Sequence, residues 1–128
     1  MIRAVVFDLY GTLLEGDIYT DVETKDEGLS RLLREAGHPV YYQEVWSARQ
    51  LVMFVDYPRG RADTPHDYYA KVLERLEIPV DPELVDAMVK KAAELEKVRL
   101  YPDVTPTVNA LKARGTKTAI LTTIPLSL

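Results

Sequence analysis

The sequence carries two short apolar runs, one near each end of the chain, and both predict buried β-strands. The first is IRAVVFD at residues 2–8, which is rich in β-branched residues and closes on Asp8. The second is TKTAILTT at residues 116–123. Continuous apolar runs of this length are typical of strands that are buried on both faces of a parallel sheet. The chain is therefore predicted to be an α/β protein with a small sheet of two visible strands.

The residues between the two runs predict helices. Around residues 23–36, leucines recur at helical spacing until Gly37 ends the pattern. Thr64-Pro65, Asp81-Pro82 and Thr105-Pro106 each combine a residue that caps helices with a proline at the first helical position. We therefore expect helices at residues 23–36, 42–55, 64–76, 81–98 and 105–115, and a loop at residues 56–63.

A sheet of two parallel strands is rarely stable by itself, because three or more strands are usually needed. The sequence reaches Leu128 just after the second apolar run, where an α/β protein would begin its next crossover helix. We therefore expect the front part of a larger doubly wound fold, or a chain that finds its missing sheet partners elsewhere.

The composition argues against several classes of protein. Sixteen basic and 20 acidic side chains give a formal net charge of −4, which disfavours a nucleic-acid partner because phosphate contacts need clustered Lys and Arg. No apolar run reaches the roughly 18–20 residues of a membrane helix. The absence of cysteine excludes disulfides and thiolate sites and favours a cytoplasmic location. The scarcity of Asn and Gln fits a thermophilic protein.

Asp8 is the first candidate for chemistry, because it closes the first predicted strand. Ligands of open parallel sheets bind outside the carboxyl ends of the strands. The turn at Gly11 would hold the carboxylate near backbone N–H groups, where it can act as a nucleophile. Thr122 ends the second run and would lie at the same edge if the two strands pair. Individually, Asp8 could simply cap its own turn, and Thr122 could be an ordinary strand-end hydroxyl.

Three stretches together resemble the haloacid dehalogenase-like (HAD) hydrolase superfamily. FDLYGTLL at residues 7–14 is similar to the first family motif, and LYPDVTPTVNALKARGTKTAILTT at residues 100–123 is similar to the segment that includes the second. The helical residues between them stand where many members insert a four-helix cap. The resemblance implies an incomplete HAD-type, Rossmann-like parallel core at residues 1–14 and 100–128, with an inserted helical-bundle cap at residues 15–99.

The resemblance also implies catalytic roles. Asp8 matches the nucleophile of the family, and Thr122 matches the hydroxyl residue of the second motif. Tyr10 stands where phosphatases of the family usually carry a second Asp, which serves as acid and base. FDLYGTL is similar to the first motif of 2-haloacid dehalogenases in particular. A phenol with a reference pKa around 10 is a poor replacement for a carboxyl group, although it could also simply pack under the cap.

Substrate contacts are expected from both parts of the chain. Those near the two motifs are Gly11, Thr12 and Thr123, the last of which stands where the family usually has Asn. In the cap, dehalogenases use an arginine to bind the leaving halide, but we place that position at Tyr57. Arg49 is our candidate for a cap contact, although Arg49, Arg59 and Arg61 are each interpreted most simply as exposed surface residues.

Other polar and aromatic residues of the cap have structural interpretations. We expect Trp46, Met53 and Phe54 in the cap core, although some of them would face the site if the cap closes over Asp8. We expect the acidic run from Asp17 to Glu27, which includes Asp26, to be a solvated helix start. His38 and His66 are too far apart in the sequence to suggest a metal site.

Two classes of small anionic substrate remain open. A 2-haloacid tolerates Tyr10 and needs no cofactor, because a halide leaves without a proton. A small phosphomonoester would need Mg²⁺, held partly by Asp8 and by the Tyr10 backbone carbonyl. The third and fourth family motifs, which supply a Lys and further polar groups, would lie beyond residue 128, so we expect little activity from the 128 residues alone. The alternative is an inactive, truncated member that pairs as a homodimer through its sheet edge and cap helices.

Overall fold

The structure is a computed structural model that describes residues 1–16, 22–96 and 98–122. In chain order the elements are β1 (Ala4–Phe7), β2 (Leu14–Gly16), α1 (Val22–Glu35), α2 (Tyr42–Leu51), a π-helical turn (Val52–Asp56), a 3-10 turn (Tyr57–Arg59), α3 (Pro65–Arg75), α4 (Pro82–Leu95), β3 (Val98–Leu100), α5 (Val104–Ala113) and β4 (Lys117–Ile120).

The chain divides into two compact units. The α/β unit combines the described residues before position 18 with those after position 96, and the helical unit consists of the described residues between these positions. Strands β1 and β4 of the α/β unit pair in parallel. The prediction of a helix-rich α/β chain with a small parallel sheet is confirmed.

The parallel pair is less buried than predicted. β1 and β4 run side by side with Ala4 opposite Lys117 and Phe7 opposite Ile120, but Val6 is 59% exposed and Ile120 is 57% exposed. The expectation of burial on both faces was wrong for the described residues. Among them α5 is the helix that packs against β4, and one helix can cover only one face of a sheet.

The structure contains two further strands that the sequence patterns do not predict. β2 and β3 form an antiparallel ribbon in which Leu14 lies opposite Leu100 and Gly16 opposite Val98. Across it, the guanidinium of Arg99 donates to the carboxylate of Glu15 at 2.6 Å. The ribbon therefore ties together the two points at which the chain leaves and re-enters the α/β unit. α4 ends at Leu95, short of the predicted residue 98, and Glu96 after it has an extended backbone.

The helical unit is a set of four helices around one apolar core. α1 packs against α2 and α4, and α3 packs against α2 and α4. The core consists of fully buried aliphatic and aromatic side chains, which include Leu29, Leu33, Val45, Val52, Tyr68, Tyr69, Val72, Leu73 and Met88. No helix within the described residues is long and apolar enough to cross a membrane.

The helix starts follow the predicted capping chemistry at two positions out of three. Thr64 accepts from the amide of Asp67 at 3.1 Å, and Asp81 accepts from the amide of Glu83 at 3.1 Å. Each is followed by a proline at the first helical position. The prediction at Thr105 was wrong, because α5 begins at Val104 with Asp103 as its N-cap.

Two aromatic residues of the α2 region are not in the core as expected. Trp46 is 46% exposed and Phe54 is 72% exposed, whereas Met53 packs against the core. Phe54 lies in the π-helical turn that follows α2. A π-helical turn inserts an extra residue, which rotates the side chains that follow it around the helix axis. This accounts for the exposure of Phe54 but not for that of Trp46, which lies in α2 before the turn. The helical prediction for residues 42–55 was correct in extent.

Candidate active site at the edge of the parallel sheet

The carboxyl ends of β1 and β4 meet at one edge of the sheet. Phe7 is opposite Ile120 at the last pair, and the amide of Leu121 donates to the carbonyl of Phe7 at 2.8 Å. Asp8 directly follows Phe7, and Thr122 is the second residue after Ile120. The expected pairing of the two strands is therefore present, and it brings Asp8 and Thr122 to the same edge.

Alternation along the backbone turns Asp8 away from the apolar side of the unit. Its neighbour Phe7 packs against a small cluster formed by Leu9, Leu13 and Val104, and Leu9 is only 5% exposed. Successive side chains of an extended segment point to opposite sides, and Asp8 is exposed. Asp8 thus lies between Phe7 and Leu9, which both pack in the apolar cluster. This packing fixes the backbone of Asp8 and leaves its carboxylate accessible.

The turn after Asp8 is built around one carbonyl group. The carbonyl of Leu9 accepts from the amides of Thr12, Leu13 and Leu14 at 3.3, 2.8 and 2.9 Å, and the amide of Gly11 donates to the carbonyl of Leu14 at 2.9 Å. Gly11 has φ +76°, and a Cβ placed there would meet nothing within 4 Å. Glycine is therefore required by the left-handed backbone and not by crowding.

The other residues expected near Asp8 differ in solvent exposure and packing. Gly11 and Thr12 are exposed, and Thr122 is half-buried. Tyr10 is half-buried and packs against the cluster of Leu9, Leu13 and Val104. Thr123 lies outside the described residues. The structure thus places Tyr10 at least partly in a packing role and leaves the hydroxyl of Thr12 open to solvent.

Arg49 is not a surface residue. It is 7% exposed, and its Nη1 lies 2.6 Å from Oδ1 of Asp26, which is fully buried. The surface interpretation of Arg49 and the expectation that Asp26 belongs to a solvated acidic run were both wrong. An isolated buried charge is costly, and each of these residues supplies the opposite charge that the other needs. The guanidinium of Arg49 is therefore already engaged inside the helical unit.

The other two arginines considered for the cap have different surroundings. Arg59 is exposed. The side chain of Arg61 is 58% exposed and lies 3.9 Å from the carboxylate of Asp56. Asp56 is held mainly by Arg75, whose guanidinium donates to both carboxylate oxygens at 2.9–3.1 Å. Arg59 and Arg61 keep the exposed positions expected for them.

The sequence contains a signal for the buried pair. Asp26 precedes Leu29 by three residues and Leu33 by seven, so all three lie on one face of α1. A charged residue on the apolar face of a helix predicts a buried partner of opposite charge. The partner could not be chosen from the sequence, because Arg49, Arg59 and Arg61 were equivalent at that level.

The described residues do not by themselves form a metal site. No group of three or more His, Cys, Asp or Glu side chains is placed to hold a metal ion in the part of the chain that the structure describes. The carboxylate of Asp8 and the backbone carbonyl of Tyr10 would supply two oxygen ligands, whereas Mg²⁺ takes about six. We derive no step that depends on a metal.

A family model described as haloacid dehalogenase-like hydrolase matches residues 2–127. The solved structures that match include an L-2-haloacid dehalogenase from Xanthobacter autotrophicus, with 22% identity, a TM-score of 0.46 and coverage of 98% of this chain and 48% of that one.

A second matching structure is described as a predicted phosphoglycolate phosphatase from Haemophilus somnus 129PT. It has 17% identity, a TM-score of 0.46 and coverage of 98% of this chain and 53% of that one. The chain thus spans about half the length of these two proteins. No curated protein matches the sequence.

Proposed function

The chain belongs to the haloacid dehalogenase-like hydrolase family, and we propose that Asp8 is the nucleophile of a hydrolysis that passes through a covalent aspartyl intermediate. One observation carries this proposal. β1 and β4 pair in parallel and in register, so that an exposed carboxylate and the hydroxyl of Thr122 follow neighbouring strands at the edge where ligands of such sheets bind.

With a 2-haloacid, the reaction has two steps. An oxygen of the Asp8 carboxylate attacks C2 of the substrate, the carbon–halogen bond breaks, and the halide leaves with the bonding electron pair. Water then attacks the carbonyl carbon of the resulting ester, which releases the 2-hydroxy acid and a proton and restores Asp8. Because a halide is a very weak base, the first step needs no acid at the position of Tyr10.

With a phosphomonoester, the same carboxylate would attack phosphorus and form an acyl phosphate. The departing alkoxide is a strong base and benefits from a proton donor. Tyr10 stands at the position from which such a proton would come, and its side chain packs against the cluster of Leu9, Leu13 and Val104. This favours the 2-haloacid as substrate, while the engagement of Arg49 with Asp26 removes one candidate for a halide contact and keeps the phosphomonoester open.

The hydroxyl of Thr122 is assigned to the anionic part of the substrate. It is half-buried at the same edge as Asp8, and a hydroxyl can donate a hydrogen bond to a carboxylate or phosphate oxygen. Gly11 and Thr12 lie in the turn that follows Asp8 and are proposed as further contacts, as is Thr123.

The test uses the complete gene product and an isosteric substitution. Halide release from 2-chloropropionate and phosphate release from a phosphomonoester with Mg²⁺ are measured side by side. Asp8→Asn keeps the shape of the side chain but removes the nucleophilic charge, so we expect at least a ~10³-fold loss of whichever activity the wild type shows. Asp63→Asn, at an exposed position of the helical unit, is the matched control and should leave the rate unchanged. Retention of activity in Asp8→Asn would refute the proposal.

A second candidate is favoured by the exposed apolar surface of the α/β unit. Val6, Ile120 and Leu121 are 59%, 57% and 73% exposed, and exposed strands and apolar faces promote self-association. In this alternative the chain has no catalytic role and pairs with a second copy. Sedimentation equilibrium of the 128-residue chain separates the two: a monomer at all concentrations excludes the pairing, and a dimer without either hydrolytic activity in the complete gene product supports it.

A further inference from the structure

The turn that follows Asp8 is held by a segment that lies far away in the sequence. The amide of Tyr101 donates to the carbonyl of Leu13 at 3.1 Å. Beside this contact, Leu14 lies opposite Leu100 in the ribbon of β2 and β3. The amides of Leu13 and Leu14 also close the turn itself. The far end of the turn is therefore bonded to the chain that leads into α5.

The chain turns tightly between β3 and α5. The amide of Val104 donates to the carbonyl of Tyr101 at 3.1 Å. Pro102 follows Tyr101, and Asp103 has φ −86° and ψ −9°. These are the features of a type I turn, in which a proline at the second position fixes the backbone in advance. Tyr101 is thus bonded in two directions, through its amide to Leu13 and through its carbonyl to Val104.

The side chain of Val104 packs under the same turn. Val104 is 9% exposed, Leu9 5% and Leu13 7%, and the three form one buried cluster. Phe7 packs against this cluster as well. Both residues next to Asp8 in the sequence therefore belong to the cluster or pack against it. Because buried side chains fill space closely, a gap beneath them is filled only if they move.

α5 also contacts the strand that leads to the second reactive group. It packs against β4, and Thr122 follows the carboxyl end of that strand. β4 pairs in turn with β1, which leads to Asp8. The start of α5 therefore supports the turn after Asp8, while the same helix contacts the strand before Thr122.

We infer that Val104 is a positioning residue of the proposed reaction, which it serves by holding Leu9 and Leu13, and with them the backbone of Asp8, in place. The inference rests on the proposed role of Asp8 as nucleophile. Attack requires the carboxylate oxygen to lie about 3–3.5 Å from the reacting atom in the correct direction, so small displacements lower the rate. Thr122, the proposed contact of the substrate anion, follows β4 instead of this turn. Loss of Val104 should therefore lower kcat more than it raises KM.

The test compares substitutions in the complete gene product, with whichever of 2-chloropropionate or the phosphomonoester it turns over. Val104→Ala removes both branches of the side chain and should lower kcat by about 10-fold or more. Val104→Thr keeps the branched shape but buries a hydroxyl, so it should lower thermal stability while it keeps most of kcat. Val72→Ala, at a fully buried valine of α3, is the matched control. It should lower stability and leave kcat unchanged.

Asp8→Asn separates this inference from the proposed function. Full activity in Asp8→Asn would remove the nucleophile, and the role of Val104 with it. An inactive Asp8→Asn together with a normal kcat in Val104→Ala would overturn the positioning role alone.

A kcat that falls in parallel with thermal stability in all the valine variants would also overturn the inference, because it would show that Val104 contributes to stability only. If Val104→Ala fails to fold, Val104→Cys takes its place, since it removes one branch of the side chain and keeps the other. The same drop in kcat relative to KM is expected, and a normal kcat overturns the inference.

Discussion

At the scale of single residues, the position of Asp8 depends on its neighbours in the sequence. Phe7 and Leu9 pack in the apolar cluster and fix the backbone on either side. The carbonyl of Leu9 accepts three hydrogen bonds from amides of the following turn. This local design could be predicted, because an apolar run that ends in Asp and is followed by a glycine turn specifies it. The position of Asp26 on the apolar face of α1 signals its burial, but its partner Arg49 could not be identified from the sequence, because the pairing depends on how the helices pack.

Gly11 gives the first residue-scale prediction. Gly11→Ala forces a side chain into a backbone with φ +76°, which costs about 1–2 kcal/mol of stability. Because the altered turn directly follows Asp8, we also expect a lower kcat in the complete gene product. Urea denaturation and steady-state kinetics measure the two effects.

Gly115→Ala is the control for this turn. Gly115 has φ +70° and likewise no atom within 4 Å of an added Cβ, but it lies in the turn before β4, at the opposite end of that strand from Thr122. Its stability loss should be similar and its kcat normal. Equal kcat values for the two variants would contradict a positioning role for the Gly11 turn.

At the scale of helices and strands, the ion pair of Asp26 and Arg49 links α1 to α2 inside an apolar core. Removing one partner leaves a buried charge without compensation, which costs about 3–5 kcal/mol. We therefore expect Asp26→Leu and Arg49→Met each to lower the free energy of unfolding by about that amount, and the double variant to recover most of it. Urea unfolding of the three variants forms the double-mutant cycle.

The surface pair of Lys71 and Glu74 provides the comparison for this cycle. Its atoms are also close, at 2.5 Å, but the side chains are 32% and 50% exposed. Exposed pairs contribute about 0–1 kcal/mol, so Glu74→Gln should change stability little. An Asp26→Leu variant that is no less stable than Glu74→Gln would show that the buried pair is dispensable.

The paired tyrosines of α3 predict how stability depends on pH. Burial raises the pKa of both Tyr68 and Tyr69 above the ordinary value of 10.0. Above pH 10 the unfolded chain loses these protons while the folded chain keeps them, so stability falls with rising pH, by about 1.4 kcal/mol per pH unit for each tyrosine. Below pH 10 the contribution is fully present.

Phenylalanine variants measure this alkaline loss by urea unfolding between pH 8 and 11.5. Tyr68→Phe and Tyr69→Phe should each flatten the decline, whereas Tyr41→Phe, at a side chain that is 69% exposed, should follow the wild-type curve. The interpretation fails if all three variants decline as steeply as the wild type.

The strands differ in how well local sequence patterns predict them. β1 and β4 were predicted from apolar runs, and α3 and α4 from their capping residues and prolines. β2 and β3 were missed because Leu-Glu-Gly and Val-Arg-Leu are too short to show a period of two. Their pairing depends on residues far apart in sequence, which a local pattern does not contain.

At the scale of the whole chain, the sequence is sufficient to predict the class of fold and the family. It did not specify that Phe54 faces outward, because the π-helical turn changes the register after Leu51. Nor did it separate the two substrate classes. Tyr10 favours a 2-haloacid, whereas the lack of an identified halide-binding arginine in the helical unit favours a phosphomonoester. The division into an α/β unit and a helical unit is described in the structure, while the role of the helical unit as a cap over Asp8 remains our prediction.

The central claim is that Asp8 forms a bond to the substrate, and mass spectrometry of the acid-quenched complete gene product tests it most directly. The enzyme is mixed with 2-chloropropionate, or with a phosphomonoester and Mg²⁺, quenched during turnover and digested. The account predicts a substrate-derived ester or phosphoryl group on the peptide that contains Asp8, and its absence in Asp8→Asn. Turnover with the adduct on another residue, or undiminished turnover in Asp8→Asn, would contradict it.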